Sequence, residues 1–401
     1  MTGPAGSDGR SIRAEAVIDL DAVRSNVAVL LQAARRSNPN AALMAVVKAD
    51  GYGHGAVPIA RVARQAGAVA LGLATPQEAV HLVAAGLEAT ADRPVVAWLW
   101  VPDEDIRPAV AGGVQLVVSS AAQLAAVRAV AFLAPGGRAD VHLKIDTGLG
   151  RGGATAAEFD HLAGAAIDAD GQVQVVGVMS HLACADEPED KSVPQQIAAF
   201  RAACAHLQRV GVSVRWRHLA NTPGTLEWPA AVFDLVRCGI GLYGVTPFDQ
   251  PHPLAAELRP AMTLRARVAL TKRVAAGSGV SYGRTYRTEG PATLALVPIG
   301  YADGIPRAAG IGAQIWLRGK RRTIAGRIAM DQFVVDCGDD EVLVGDEVLV
   351  FGPGDSGEPT AVDWAAQCST IGYEIVTRIG PRVPRRYVGS SAAGPDHEGS
   401  R

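Results

Sequence analysis

Alternation over the first 245 residues constrains this chain more than any other feature: short apolar, β-branched runs are followed by Ala-rich stretches with helical spacing. The strand candidates are Leu43–Val47, Val69–Leu73, Val95–Trp100, Val114–Val118, Asp140–Ile145, Val173–Met179, Arg217–Leu219 and Phe233–Val236. Helix candidates between them include Ala56–Gln65, Pro76–Ala85, Ala121–Phe132, Ala157–Ile167 and Gln195–Gln208, and a further helix, capped by Asp21, precedes the first strand. Eight such units in about 230 residues meet the requirement of a (β/α)8 TIM-type barrel in the α/β class. An open doubly wound sheet is the alternative that periodicity leaves. The run GLGRGGA holds a G-x-G-x-x-G-like spacing only loosely, and too late in the chain for a first dinucleotide turn.

After about residue 250 the texture changes. Pro251, Pro253 and Pro260 break the chain, and Met262–Thr271, Thr293–Ile299, Gln314–Arg318, Phe333–Cys337 and Glu341–Phe351 read as strands separated by turn residues. Only Ala361–Gln367 reads as helical. The expected organisation is a barrel over 14–250 and a C-terminal all-β domain over 251–388. The polar, Gly-rich stretches 1–13 and 389–401 are expected to be disordered tails.

Composition narrows the function. The formal net charge is −2 and 19% of residues are charged, so there is no electrostatic reason to expect a nucleic-acid partner or a membrane. The five cysteines are dispersed and form no CxxC pair, which reads as free thiols in a reducing compartment. With no secretory h-region and no spanning apolar run, a cytoplasmic location is expected. No metal site is expected.

The unusual polar residues fall at the carboxyl ends of the candidate strands. Lys48 ends the first, Arg151 lies in the glycine-rich turn after the fifth, and His181 follows the sixth. Asn221 and Thr222 follow the seventh, Arg237 and Gly239 the eighth. In a barrel those ends share the face where active sites are built. A lysine ending a buried strand is costly unless paired or used. One reading is a snorkelling lysine at the rim. The other is a Schiff-base lysine, whose desolvated amine has a lowered pKa and becomes nucleophilic.

The segment VVKADGYGHG (46–55) resembles the cofactor-attachment signature of the alanine racemase family. HLKIDTGLGRGG (142–153), GVMSHLACAD (177–186), HLANTPGTL (218–226), DLVRCGIGLYG (234–244), GVSYGRTY (279–286), VPIGYADGIPR (297–307), GRIAMDQFVVD (326–336) and IGYEIVTRIGPRVPRRY (371–387) resemble family motifs in the family's order. The resemblance covers roughly residues 14–388.

It implies a barrel with a C-terminal β domain and pyridoxal 5'-phosphate (PLP) as cofactor, carried by Lys48 in an aldimine. Tyr52, Thr222, Gly239, Ile240 and Tyr373 would hold the phosphate, with Asn221 in the same cofactor-binding set. Arg237 would face the pyridine nitrogen, and His181 would link it to Tyr282. Arg151 would bind near the substrate carboxylate, oriented by Lys144, a lysine often carbamylated in the family. Met330 and Tyr301 would contact substrate from the partner subunit, which would also supply Tyr282, making the active unit a homodimer.

The implied reaction interconverts L- and D-alanine, supplying D-alanine for peptidoglycan. Such chemistry needs two proton acceptors on opposite faces of a planar adduct, Lys48 and Tyr282. Departures from the commoner pattern at Thr222, Cys238, Ala329 and Gly372 leave serine or another small amino acid open as substrate. A fold-related PLP decarboxylase would need a C-[ED]-S-x-D motif where RIAMDQF stands. A single-barrel PLP carrier would end near residue 245, and a metal-dependent aldolase would need clustered ligands that the sequence lacks. Trp98 and Trp100, in AWLWVPDED (97–105), alternate along a strand, so one of them is expected in the core.

Overall fold

The computed structural model describes residues 12–310 and 312–390; most of the two expected tails lies outside the described residues. The chain divides into two compact units, one formed by 22–259 and the other by the segments up to Asp21 and from Pro260 onward. Strand β1 (Ala14–Asp19), which the sequence reading groups with the barrel, belongs to the second unit. It pairs there in parallel with the strand at 385–388 and antiparallel with that at 262–267. Its alternating side chains are buried among those partners.

The first unit is the expected barrel. Strands β2 (Ala42–Val46), β3 (Ala70–Leu73), β4 (Val95–Ala97), β5 (Gln115–Val118), β6 (Ala139–Lys144), β7 (Val173–Met179), β8 (Trp216–His218) and β9 (Leu235–Cys238) form one parallel sheet. Strand β9 returns to β2 with Ala42 opposite Leu235. Between β8 and β9 the ring is tied by Asp234 N–H to Arg217 O at 3.1 Å and Arg237 N–H to Ala220 O at 2.9 Å. Inward side chains of Met44, Ala70, Val96, Val117, Met179, Trp216 and Leu235 fill the bore. It is therefore a packed core rather than a channel.

The helices start where the sequence provides caps. Thr75 with Glu78 and Thr155 with Glu158 form capping boxes, and Ser120 caps the helix Ala121–Val130. The helix Leu20–Ser37 begins two residues earlier than a cap at Asp21 implies. The Asp19 carboxylate accepts the Asp21 N–H at 2.9 Å, and Asp21 sits in the first turn with its own carboxylate on Ser390. Strand β4 stops at Ala97 because the N–H groups of Trp98 and Leu99 both turn to Ala74 O. Trp98 then packs against the bore, while Trp100 is buried and donates its indole N–H to Val117 O at 2.9 Å.

In the second unit, β10 (Met262–Arg267) and β11 (Leu270–Val274) stand where a single run was read. They are followed by β12 (Gly279–Val280), β13 (Tyr286–Arg287), β14 (Ala292–Val297), β15 (Gln314–Leu317), β16 (Lys320–Thr323), β17 (Phe333–Asp336), β18 (Glu347–Phe351) and β19 (Arg385–Val388). The sheets run β16-β15-β18-β10-β1-β19, β11-β14-β17 and β12-β13. Residues 341–346 form a turn instead of extending β18, with the Asp346 carboxylate accepting Leu343 N–H. Besides the expected helix Ala361–Gln367 there is a second, Gly372–Thr377, whose Ile375 and Val376 are buried. Among the described residues no helix is long and apolar enough to cross a membrane.

Candidate active site

Strand β2 is buried up to Val47, and the chain then winds the wrong way. Ala49, Asp50, Gly51 and Tyr52 have φ values of 53, 51, 62 and 51°, one turn of left-handed helix directly behind Lys48. Each L-residue so placed costs roughly 1–2 kcal/mol, so the turn exists because its surroundings hold it. Glu78 accepts the Ala49 N–H, and the Asp50 carboxylate accepts the Ala56 N–H at 2.8 Å, starting the helix Ala56–Gln65. The turn aims Tyr52 back beneath Lys48, whose Nζ lies 5.9 Å from the Tyr52 ring centroid. A Cβ on Gly239 would stand 2.3 Å from the Tyr52 hydroxyl, so only glycine allows that approach. The Thr222 hydroxyl accepts the N–H groups of Gly239 at 3.1 Å and Gly241 at 3.4 Å, joining the ends of β8 and β9 around Ile240. Asn221 caps the short helix Thr222–Glu227 by accepting Gly224 N–H at 3.0 Å.

Arg237 is buried near the carboxyl end of β9. Its Nη1 donates to His218 O at 2.7 Å and its Nη2 to Ser180 O at 2.6 Å, Leu219 O at 3.1 Å and His181 Nδ1 at 3.1 Å. Because the guanidinium only donates, His181 must accept through Nδ1 and carry its proton on Nε2. Burial lowers the Arg237 pKa to about 10.

Arg151 lies in the turn 146–153, where Gly148 and Gly150 donate to the Asp146 carboxylate at 2.9 and 3.2 Å. Lys144, the last residue of β6, sits under this turn, and a Cβ on Gly152 would be 3.4 Å from its Nζ. Burial first, then the charges of Arg237 and Arg151, lower the Lys144 pKa to about 8. Lys48 is shifted down by burial and then by Arg151, with Glu78 opposing. His181 is driven well below its ordinary value by burial and then by Arg237, Arg151, Lys144 and Lys48. Two lysines and two arginines thus converge on one neutral imidazole. Such a cluster is stable only with anionic company, so the face is built for an anionic group or groups.

The structure brings Lys48, Tyr52, Lys144, Arg151, His181, Asn221, Thr222, Arg237, Gly239 and Ile240 to the carboxyl-terminal face of the barrel. Tyr282, Tyr301, Met330 and Tyr373 belong to the β unit. There, Ser281 at φ 58°, ψ −171° occupies a region normally reserved for glycine. Its hydroxyl donates to Arg327 O at 2.6 Å. The neighbouring Tyr282 is 70% exposed, unusual for a large aromatic residue. Tyr301 and Ala302 donate to the carbonyls of Ala329 and Met330, so the loops carrying Tyr301 and Met330 are tied together. Both of those side chains are also exposed. Tyr373 lies half-buried in the helix Gly372–Thr377.

Sequence reasoning passed over Glu78 and the buried pair His142 and His218. The available signal was Asp140, His142 and Lys144 at alternate positions of β6, a polar face on a strand that should be apolar. Among the described residues no group of three or more His, Cys, Asp or Glu side chains is placed to hold a metal.

Comparison with known proteins agrees with this geometry. Residues 18–247 match the family profile described as alanine racemase, N-terminal domain, and 261–387 match that of the C-terminal domain. The chain is 53% identical over 388 residues to an alanine racemase of Frankia casuarinae, covering 96% of this chain and 98% of the relative. Among solved structures, the alanine racemase from D-cycloserine-producing Streptomyces lavendulae superposes with a TM-score of 0.89 at 52% identity, covering 95% of this chain and 98% of that one. The enzyme from Streptomyces coelicolor gives 0.90 at 52% identity, covering 94% and 98%. With both profiles matched in order over nearly its whole length, the chain belongs to the alanine racemase family.

Proposed function

We propose that the protein interconverts L- and D-alanine with PLP as cofactor and Lys48 and Tyr282 as the two proton-transferring residues. The observation that carries this reading is the cluster of Lys48, Lys144, Arg151 and Arg237 around His181, with Lys48 on a strained turn. The donor set fits a phosphorylated pyridoxal. The Tyr52 hydroxyl, the Thr222 hydroxyl proton and the backbone N–H of Ile240 suit a phosphate, with Gly239 held beside them through its N–H on Thr222; Lys48 suits the aldehyde, and Arg237 suits the ring nitrogen. Tyr373 completes the phosphate set by family resemblance, and Asn221 acts through its helix cap. When bound, PLP delocalises the negative charge left at the substrate α-carbon.

The residues divide the remaining work. The Nη groups of Arg237 are occupied by carbonyls and by the rings of His181 and His218, so Nε–H is the donor left for a ligand. A guanidinium does not give up its proton, and a ring nitrogen facing it stays unprotonated. Arg151 binds a substrate carboxylate and is steadied by Lys144, whose lowered pKa leaves a fraction of the amine neutral and open to carbamylation. The Lys48 amine, also shifted toward neutrality, holds or releases the α-proton on one face. The Tyr282 phenolic oxygen serves the other, taking the proton of L-alanine as phenolate and returning it as the hydroxyl. A positioned base contributes about 10²–10⁴-fold to such a transfer.

Tyr282, Tyr301 and Met330 are exposed on the β unit. We take them to complete the site of a second copy, making a homodimer with two shared active sites. Five free thiols agree with action in the cytoplasm, where D-alanine would feed peptidoglycan synthesis. The test is direct. The wild type should show a visible PLP band and form D-alanine from L-alanine, and Lys48→Ala should lose both. A Lys48→Ala protein that keeps the band and the activity would overturn the reading.

A further inference from the structure

The barrel interior contains a polar chain that the reaction has not called upon. Gln115 is the first residue of β5, His142 sits midway along β6 and His218 ends β8; all three are buried. Gln115 Nε2 lies 3.1 Å from Asp140 Oδ2, and Gln115 Oε1 lies 2.8 Å from His142 Nε2. His142 Nδ1 is 2.9 Å from His218 Nε2, and His218 Nδ1 is 3.3 Å from Arg237 Nη1. The rings of His142 and His218 meet edge to face at 4.9 Å. Room for His142 comes from Gly177 on β7: a Cβ there would fall 2.0 Å from His142 Nδ1. Neighbouring inward residues are apolar, Val117, Met179, Trp216 and Leu235 among them. A misdirected imidazole N–H therefore finds no polar partner among them and costs its full desolvation.

Both ends of the chain are chemically fixed. A carboxylate only accepts and a guanidinium only donates. Starting from Asp140, the Gln115 amide must present NH2 to the carboxylate and its oxygen to His142. His142 must then carry its proton on Nε2 and accept at Nδ1. His218 must donate from Nε2 and accept at Nδ1, which turns a lone pair toward Arg237. Starting from Arg237 gives the same answer. Each bond runs the same way, from the arginine toward the carboxylate, and burial keeps both imidazoles neutral. We propose that this one-way chain makes Asp140, on the amino-terminal rim of the barrel, a positioning residue for Arg237 on the catalytic face, acting through Gln115, His142 and His218.

Reversing any link would bring a His218 N–H against an Arg237 N–H. The chain thus sets how the guanidinium sits, and with it the His181 proton on Nε2, since Arg237 donates to both imidazoles. Asp140 and Gln115 also line a cavity of about 430 Å³ at the amino-terminal end with Gln174, Arg215 and Trp216. The outer end of the chain is therefore in contact with the solution on the side opposite the reaction. The proton positions do not depend on the proposed function; the effect on turnover rests on it.

Two measurements on the cofactor-loaded enzyme test the proposal. Neutron diffraction from crystals grown in heavy water should place deuterium on Nε2 of both His142 and His218 and none on either Nδ1. Deuterium on Nδ1 of either ring overturns it. In the nearly isosteric Asp140→Asn protein the acceptor-only end is lost, so Arg237 alone still fixes the direction of the chain and the outer link to Gln115 loses its charge-assisted hydrogen bond. Its kcat should fall about five- to tenfold, one hydrogen bond's worth, with KM kept within about twofold. Asp140→Glu, which restores an acceptor-only group, should recover most of that loss. If Asp140→Asn leaves kcat unchanged, or if Asp140→Glu is as impaired as Asp140→Asn, the positioning role is wrong. A wild type with no racemase activity would instead refute the functional reading while leaving the deuterium positions to decide on the chain.

Discussion

One carboxylate oxygen of Glu78 accepts the Ala49 N–H at 2.6 Å, while the other accepts those of Ala74 and Thr75 at 2.9 and 3.1 Å. A single side chain thus caps its own helix and holds the left-handed turn behind Lys48. Its charge also helps keep the proton on Lys48. Glu78→Gln cannot accept at both ends, since one side of the amide donates. The expected loss of stability is about 1–3 kcal/mol, read by thermal unfolding. The Lys48 amine should also lose its proton at lower pH than in the wild type, because a carboxylate that raised its pKa is gone. A Lys48 titration that stays in place or moves upward would contradict this electrostatic account.

Gly239→Ala should act on the cofactor rather than on the fold. Its φ of −111° lies outside the left-handed region, and an added Cβ would fall on the Tyr52 hydroxyl. The ring must swing away, and PLP affinity should fall to near that of Tyr52→Phe. Combining the two changes should add little, because both remove the same hydroxyl. Fully additive losses in a cofactor titration would show that glycine serves some other end.

Lys144 gives a pH dependence with a definite sign. Its pKa is about 8 in the folded chain and 10.5 when unperturbed. Between those values the unfolded chain binds more protons than the folded one, so stability gains from this group as pH rises through the window. Below pH 8 the gain is absent. Lys144→Met should remove it, and the difference between the two stability curves isolates the residue. The same neutral fraction makes Lys144 reactive toward carbon dioxide. Native mass spectra recorded with and without bicarbonate should differ by one CO2 on the wild type and not on Lys144→Met.

Tyr282→Phe removes one hydroxyl from an exposed ring, and folding stability should stay within about 0.5 kcal/mol. Exchange of the α-proton of L-alanine should be abolished, with exchange from D-alanine spared more. Equal loss from both enantiomers would refute the assignment of faces. If Tyr282 serves the partner's barrel, mixing inactive Lys48→Ala and Tyr282→Phe proteins should restore activity, because each mixed dimer holds one intact pair. Random reassortment allows about a quarter of wild-type activity; no recovery would mean that both residues act within one chain.

The barrel was legible because its signals are local. Thr75 and Thr155 stand three residues before a glutamate, and Val173–Met179 is bounded by turns on both sides. The Gly372–Thr377 helix was not, since β-branched Ile375, Val376 and Thr377 argue against a helix that tertiary burial then imposes. Lys48, Arg151 and Arg237 stood out because charge at a strand end is expensive. His142 and His218 did not, because the value of a histidine in a strand depends on what the neighbouring strand offers, and the sequence does not show that Gly177 faces His142. The left-handed turn at Ala49–Tyr52 was hidden for the same reason: nothing in Ala-Asp-Gly-Tyr announces it, and Glu78, nearly thirty residues on, makes it affordable.

The placement of β1 bears on how the chain is made. Ala16 lies beside Arg385 in the finished sheet, whereas the barrel ring needs nothing beyond β9. At a ribosomal pace of about 5–20 residues per second, β1 waits roughly 20–70 s for its last neighbour. Until β10 is made the strand has no sheet to join, and until β19 is made one of its edges stays unpaired. Newborn chains should therefore be most vulnerable to mispairing and capture by chaperones at their leading end, and a circular permutant that moves β1 next to β19 should shorten that exposure.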